Sequence, residues 1–206
     1  MREMFKRFRN TVFPPPVPVF AVSLAVLIAG ALFAAASGAI EVAGGRVPPI
    51  EVYFSPRDGA TAAIVREIGR ARVEIRVQAY SFTSAPIAEA LRKAHRRGVD
   101  VQVILDKSQR RRQNYSSSAF LANARIPTYI DAEHAIAHNK IIIIDRSVVI
   151  TGSFNFTKAA EEKNAENLLV IRSEELAERY LANWRLHRDH SASEEDRAGS
   201  RPGAGG

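Results

Sequence analysis

The sequence predicts an α/β fold in which a mixed β-sheet is flanked by helices on both faces. Segments that alternate apolar and polar residues, as half-buried strands do, recur along the chain. Between them lie longer segments with apolar residues at helical spacing, and glycine or proline marks the joins. Alternating β and α segments imply a sheet covered by helices, with some strands paired in parallel.

The individual elements support this fold from about Val47 onward. Residues 73–80 alternate cleanly and predict a strand, and residues 85–97 carry helical spacing that ends at Gly98. The same two patterns predict the remaining elements. Strands are predicted at residues 50–54, 99–106 and 127–130, and helices at residues 61–72, 117–124 and 174–190.

The chain divides into a leader (residues 1–39), a folded domain (residues 47–190) and a tail (residues 191–206). The tail is polar, small and glycine-rich, which predicts disorder. The 206 residues carry a formal charge of +7, and the chain beyond its first ten residues keeps 25 basic and 21 acidic residues, or +4. This charge is compatible with a polyanionic or membrane-surface partner without requiring one. The absence of cysteine excludes disulfides and thiolate zinc sites.

The leader is predicted to be a signal peptide or an N-terminal membrane anchor. Its first ten residues hold four basic and one acidic residue, and residues 11–39 hold no charge. Residues 17–36 are mostly apolar, and the small residues up to Ala39 are typical of a cleavage region. The basic flank would stay in the cytoplasm. We therefore expect an exported, periplasmic or extracellular domain, or one anchored through residues 17–36 and facing outward.

The motif H-x-K-x4-D at residues 138–145 carries the chemistry of the chain. Side chains alternate along an extended segment, so His138 and Lys140 point the same way while the isoleucines between them and Asp145 enter a core. By the same alternation, Ser153 and Asn155 share a face downstream, beside Gly152, which lets another group approach closely. A base and a cation therefore share one face of the first segment, and two hydrogen-bonding side chains share one face of the second.

A hairpin between these segments would bring the four side chains together. With Arg146 and Ser147 as a two-residue loop, Asp145 faces Val148, and the register continues along both strands. Lys140 then faces Ser153 and His138 faces Asn155. Arg-Ser lacks the Asn or Gly that such tight turns prefer, so this register could slip by one residue.

The motif and its surroundings resemble the phospholipase D superfamily. The residues that carry the HKD signature of that superfamily are His138, Lys140, Asp145, Gly152, Ser153, Asn155 and Glu166. The stretches AYSFTS (79–84) and TGSFNFTKAAEEKNAEN (151–167) are similar to the small bacterial single-HKD endonucleases of the Nuc type. The resemblance covers residues 47–187 and implies a phospholipase D-like fold.

Cleavage of a phosphodiester needs neutralised oxygens, a nucleophile and an acid for the leaving group. A neutral His138 can attack phosphorus, but a second imidazole must then act as the acid. The resemblance implies a homodimer in which two copies of the motif share one cleft. Lys140 and Asn155 would bind phosphoryl oxygens, Ser153 would support them, and Glu166 would hold the distal imidazole nitrogen.

The remaining candidate residues are Asp145, the other histidines and a group of basic residues. Asp145 is expected to orient the hairpin and to accept hydrogen bonds from backbone or side-chain donors, more than to react. No metal or other cofactor is predicted, because no further carboxylate and histidine cluster is visible in the sequence; His95, His134, His187 and His190 are expected on helical surface, loop or tail. A basic loop follows the strand at residues 99–106 and is a candidate site for binding a phosphate backbone. Its members are Lys107, Arg110, Arg111 and Arg112.

These features predict a metal-independent phosphodiesterase. The favoured substrate is DNA, cut by a low-specificity endonuclease, with RNA left open. The alternative is a phospholipase D acting on membrane lipids such as cardiolipin or phosphatidylcholine, since the same site chemistry serves both. A third class is a catalytically idle nucleic-acid-binding module, against which the full set of motif residues argues.

Overall fold

An eight-stranded sheet forms the centre of the structure, a computed structural model that describes residues 48–111 and 117–193. The strands are β1 (Ile50–Ser55), β2 (Glu74–Ala79), β3 (Asp100–Asp106), β4 (Thr128–Asp131), β5 (Lys140–Ile144), β6 (Val148–Gly152), β7 (Glu166–Arg172) and β8 (Ala192–Ser193). Their order across the sheet is β1-β7-β6-β5-β2-β3-β4-β8. The pairs β2–β3 and β3–β4 are parallel and the others antiparallel, which confirms the predicted mixed sheet.

Helices connect most of these strands. They are α1 (Ala60–Arg70), α2 (Ala85–Arg96), α3 (Ser117–Asn123), α4 (Lys158–Glu162) and α5 (Glu174–His190), with a 3-10 helix at Lys107–Arg111. The bounds of α5 are those predicted from the sequence, because Ser173 caps its first turn by accepting a hydrogen bond from the Leu176 backbone N–H at 3.2 Å.

Successive residues of the central strands pack into two cores on opposite faces of the sheet. Val103 joins the larger core with residues of α1 and α2, whereas its neighbour Ile104 joins the core built on α5. Trp184 of α5 also donates an indole hydrogen bond to the Val77 carbonyl of β2 at 2.9 Å. The prediction of helices on both faces is therefore confirmed, and it explains why the central strands are apolar on both sides.

The hairpin between β5 and β6 differs from the predicted one. Ile144 pairs with Val148, so the loop has three residues and the register is shifted by one. Asp145 and Arg146 adopt left-handed backbone angles, φ 50° and 53°. Aspartate tolerates this region better than most residues. Continuing the observed register sets Lys140 opposite Gly152, and the predicted pairing of Lys140 with Ser153 is wrong.

The C-terminal boundary of the domain also differs. Ala192 and Ser193 pair with Ile130 and Tyr129 of β4, so the predicted disordered tail from residue 191 is wrong at these positions. Residues 194–206, like the leader at residues 1–39, lie outside the described residues. Within the part of the chain that the structure describes, no helix is long and apolar enough to cross a membrane.

Candidate active site

The motif residues other than Asp145 gather at one edge of the sheet, where β2 and β6 end and β5 and β7 begin. Lys140 opens β5 and pairs with Ala79, the last residue of β2. Ser153 follows β6 directly, and Glu166 opens β7. Because antiparallel neighbours place the start of one strand beside the end of the next, residues far apart in the chain become neighbours here.

The two stretches that resemble the Nuc-type enzymes pack against each other at this edge. The Phe156 carbonyl accepts hydrogen bonds from the backbone N–H groups of Thr83 at 2.8 Å and Ser84 at 2.9 Å. The buried rings of Phe82 and Phe156 meet edge to face with centroids 6.2 Å apart. These contacts fix the loop after β2 against the segment that carries Ser153 and Asn155.

His138 and Lys140 share an aromatic neighbour, Tyr80. The exposed His138 ring lies edge-on to Tyr80 with centroids 4.6 Å apart, and the Lys140 Nζ lies 5.3 Å from the Tyr80 ring centre. The Tyr80 backbone N–H donates to the Asn139 carbonyl at 2.8 Å. Tyr80 was not among the site residues predicted from the sequence, although its place at the end of an alternating strand and inside the AYSFTS stretch could have indicated it.

Lys140 is a buried cation. Only 7% of the residue is exposed, and its Nζ donates to the His138 backbone carbonyl at 3.0 Å. Burial lowers the pKa of Lys140, and the nearby Glu166 carboxylate opposes this effect without cancelling it. Because burial disfavours an uncompensated ammonium, an anionic phosphoryl oxygen at this position would interact with it more strongly than in bulk water.

Asn155 and Ser153 offer hydrogen-bonding groups at the same edge. The Asn155 Oδ1 is buried and has no hydrogen-bond partner among the described residues. An unsatisfied buried acceptor costs on the order of 1–3 kcal/mol, so this oxygen marks a place for a hydrogen-bond donor. A phosphoryl oxygen would instead be bound by the N–H groups of the same amide. The Ser153 Oγ accepts from the Asn167 backbone N–H at 3.0 Å, which fixes the hydroxyl while leaving its own proton to donate.

Gly152 allows β6 and β7 to approach each other closely beside these groups. Its φ is 147°, and a Cβ at this position would collide with the Asn167 carbonyl. The Phe154 backbone N–H donates to that same carbonyl at 3.2 Å. The expected close approach at this glycine is therefore confirmed, and it sets the course of the chain through Ser153.

Glu166 has a hydrogen-bond partner other than the His138 ring. Its carboxylate accepts from the Asn164 side chain at 3.1 Å, and in the described residues no hydrogen bond joins it to His138. The expected hydrogen bond from the distal imidazole nitrogen of His138 to Glu166 is thus not made within one chain. Within one chain, Glu166 acts as a negative charge close enough to influence Lys140.

Asp145 lies at the opposite edge of the sheet. The five residues of β5 separate it from His138, which places it roughly 16 Å from the start of that strand. Its carboxylate accepts three backbone hydrogen bonds, from Arg72 and Val73 at 2.8 Å and from Glu74 at 3.0 Å. Asp145 therefore ties the hairpin to the start of β2, in keeping with its expected orienting role, and lies away from the other motif residues.

Asp106 holds the loop that leads into His138. It is 3% exposed, and its two oxygens accept from the backbone N–H groups of Ser108 and Ala137, each at 2.8 Å. This positioning contact was missed in the sequence analysis. The available signal was a carboxylate at the end of a buried strand, at the edge where the motif residues gather.

The predicted basic loop is a 3-10 helix that directly follows β3. Lys107 Nζ donates to the His134 carbonyl at 2.7 Å, so this lysine bridges two loops. The backbones of Arg110 and Arg111 lie in the 3-10 helix, while their side chains, and all of Arg112, lie outside the described part of the chain. A cleft of about 450 Å³ joins Tyr80 to this turn; its lining is Tyr80, Asp106, Lys107, Ser108, Ala132, Ala135 and Ile136.

A second cluster of histidines and a carboxylate lies at the same sheet edge. Asp131, His134, His187 and His190 converge at the end of β4. The expectation that no such cluster exists beyond the motif is wrong. Its members form two pairs with i, i+3 spacing, Asp131 with His134 and His187 with His190, but local spacing does not show that the two pairs meet.

Comparison with known proteins agrees with this geometry. Residues 64–185 match the family described as "Cardiolipin synthase, PLD-like domain". The chain belongs to the phospholipase D superfamily. A phospholipase D from Rickettsia felis is 48% identical over 135 residues, which cover 66% of this chain and 67% of that protein.

Two further phospholipase D superfamily relatives agree. Nuc from Salmonella typhimurium, a phospholipase D family member of known structure, superimposes with a TM-score of 0.66 at 41% identity, covering 71% of this chain and 97% of Nuc. A mitochondrial cardiolipin hydrolase from Canis lupus familiaris is 32% identical over 127 residues, 62% of this chain and 50% of that protein. The predicted family and fold are confirmed, and with them the assignment to the phosphodiesterases of this superfamily.

Proposed function

We propose that the protein is an endonuclease of low sequence specificity that cuts DNA without a metal ion in the reaction. The observation that carries the proposal is the exposed imidazole of His138 next to the buried ammonium of Lys140. Together they supply a nucleophile and a compensating charge for an anionic phosphodiester.

The reaction would proceed in two displacements. In the first, a neutral His138 nitrogen attacks phosphorus, the P–O bond to the leaving group breaks, and a second imidazolium protonates the leaving oxygen. In the second, that imidazole removes a proton from water, which attacks phosphorus and releases His138. Lys140 and Asn155 would bind the non-bridging oxygens through both steps.

The second imidazole is best supplied by a second copy of the chain. All five histidines of the sequence fall within the described residues. His134, His187 and His190 surround Asp131. His95 lies eleven residues along from Ser84 near the end of α2, about 16 Å away on helical geometry. A homodimer that pairs two His138 residues across a two-fold axis would complete the site, because the same surface of each protomer supplies one half of it.

Nucleic acid is favoured as the substrate class by the path of the cleft. It leads from Tyr80 to Lys107 and the 3-10 helix that contains Arg110 and Arg111. The basic residues of this part of the sequence, Lys107, Arg110, Arg111 and Arg112, favour a phosphate backbone as partner. Phospholipid is the second candidate, because Ile136 beside the cleft is 59% exposed and relatives bear the names phospholipase D and mitochondrial cardiolipin hydrolase.

One side-by-side assay tests both candidates. The purified protein is incubated at 25 °C, in EDTA, with plasmid DNA, RNA, and vesicles of cardiolipin or phosphatidylcholine, and His138→Ala serves as the matched control. We expect nicked and linear DNA from the wild type only. Release of lipid headgroup with intact DNA would replace the endonuclease by the phospholipase. Cleavage that EDTA abolishes and Mg²⁺ restores would refute the histidine mechanism.

We also propose that the domain is exported, on the strength of the leader at residues 1–39. Cell fractionation followed by N-terminal sequencing tests the proposal. A protein that starts near residue 40 outside the cytoplasm indicates cleavage, and a membrane-bound protein that keeps Met1 indicates an anchor. A soluble cytoplasmic protein that keeps Met1 contradicts both.

A further inference from the structure

Four side chains from three parts of the chain meet where β4 ends. Asp131 is the last residue of β4, His134 lies in the loop that follows, and His187 and His190 share one face of the last turn of α5. We call these four residues the Asp131 cluster. None of them belongs to the HKD motif.

The ligand atoms are spaced as a metal ion requires. Asp131 Oδ2 lies 2.9 Å from His187 Nδ1, 3.0 Å from His134 Nδ1 and 3.4 Å from His190 Nε2. All four ligand atoms lie within 4.8 Å of one another. A tetrahedral Zn²⁺ with bonds of about 2.0–2.1 Å separates its ligand atoms by roughly 3.3 Å, so small side-chain shifts suffice to admit an ion.

The ring nitrogens of three histidines converge on one oxygen of Asp131, which is fully buried. One carboxylate oxygen has about two lone pairs, so three N–H donors crowd it. The ring centroids lie only 4.8–5.3 Å apart. A divalent cation at the centre instead accepts the nitrogen lone pairs and compensates the buried carboxylate.

A carboxylate oxygen and three imidazoles form a donor set that suits Zn²⁺ and related divalent transition metals.

We propose that the Asp131 cluster binds one Zn²⁺ ion as a structural site. Four protein ligands fill a tetrahedral shell and leave no open position for water or substrate, which is the arrangement of structural rather than catalytic zinc. In the sheet order β4 is three strands from β5, or about 14 Å, so the ion would lie outside the reaction centre.

The surroundings of the cluster support such a site. The His134 carbonyl accepts from Lys107 Nζ at 2.7 Å, and the His187 carbonyl accepts from the Ser191 hydroxyl at 2.6 Å. Glu133 lies 3.9 Å from the second ring nitrogen of His190, where a carboxylate often orients a ligating histidine. The ion would tie the end of α5 to the loop that runs on to His138, and so stabilise the approach to the active site.

The test measures metal binding and thermal unfolding of the full-length protein. After EDTA treatment and buffer exchange, the protein is titrated with Zn²⁺ in competition with a chromophoric chelator, and with Co²⁺ while the visible spectrum is recorded. We expect one ion per chain, the intense absorption of tetrahedral Co²⁺, and a Tm about 5–10 °C higher when free Zn²⁺ is about a hundredfold above Kd.

Two variants identify the ligands. His134→Ala removes a ligand whose side chain is 47% exposed, so its packing loss is small, and it should lose tetrahedral Co²⁺ absorption and the rise in Tm while keeping the wild-type circular dichroism. His138→Ala is the matched control and should bind as the wild type does. Absence of binding, or binding that is lost in His138→Ala and kept in His134→Ala, would overturn the proposal. If His134→Ala does not fold, an octahedral Co²⁺ spectrum of the wild type overturns it.

Discussion

Two histidine sites lie at the same edge of this sheet and differ in how their polar groups are satisfied. In the active site, the ring of His138 makes no hydrogen bond among the described residues, and the buried Asn155 Oδ1 has no partner there. In the Asp131 cluster, three imidazoles surround one carboxylate. Groups left incomplete in the active site are available to a substrate, whereas the four side chains of the Asp131 cluster would fill the shell of the proposed ion and so stabilise the fold.

The largest expected effect is the loss of catalytic rate when a residue of the active site is replaced. His138→Ala should abolish the covalent route, and Lys140→Ala should cost on the order of a hundredfold to a thousandfold in rate, because each removes a group proposed to act on the phosphodiester. Neither should lower Tm by more than a few degrees. The measurements are initial rates on plasmid DNA and thermal melts. Insoluble or non-cooperative protein in both variants would instead assign the two residues to the core.

The second prediction concerns the sharing of the site between two protomers. A hybrid of one wild-type and one His138→Ala protomer lacks either the nucleophile or the acid in every turnover. Its rate should fall on the order of a hundredfold to ten-thousandfold. Differently tagged protomers are co-expressed and purified over two affinity steps, and the absence of subunit exchange is checked. A rate near half that of the wild type, or full activity in a monomer, would exclude the shared site.

The third prediction concerns Asp145, the motif residue that lies at the far edge. Asp145→Ala removes the acceptor of three backbone hydrogen bonds and should lower the free energy of unfolding by about 1–3 kcal/mol, with the rate changed only a few-fold. Asp58→Ala is the control, since Asp58 accepts one exposed backbone bond from Phe54 and should cost less. Urea denaturation measures both. A dead but fully stable Asp145→Ala would place Asp145 in the chemistry.

The smallest expected effect is a pH shift. Burial lowers the pKa of Lys140, so its charge is lost at a lower pH than that of an exposed lysine as the solution becomes alkaline. Activity should decline on that alkaline limb. Glu166→Gln removes the carboxylate that opposes burial and should move the limb to lower pH. The pH profile of kcat/KM measures it, and a limb that moves to higher pH would contradict the assigned electrostatics.

Much of the active site could be predicted from sequence because its signals are local. His138 and Lys140 lie two residues apart on a strand, and Ser153 and Asn155 repeat that spacing. The periodicity that defines strands and helices is equally local, so most elements lie within a few residues of their predicted bounds. The close approach at Gly152 was also predicted, since only glycine leaves that space.

The tertiary structure alone decided the hairpin register, the addition of β8 and the Asp131 cluster. The register follows from the left-handed residues Asp145 and Arg146, which no periodicity encodes. The cluster depends on where α5 ends. This helix follows β7 in the chain but ends beside β4, which lies beyond four intervening strands in the sheet, and so brings His190 to Asp131. Local pattern determines what each segment is, but the order of strands in the sheet determines which side chains meet, and that order is set by packing between segments distant in sequence.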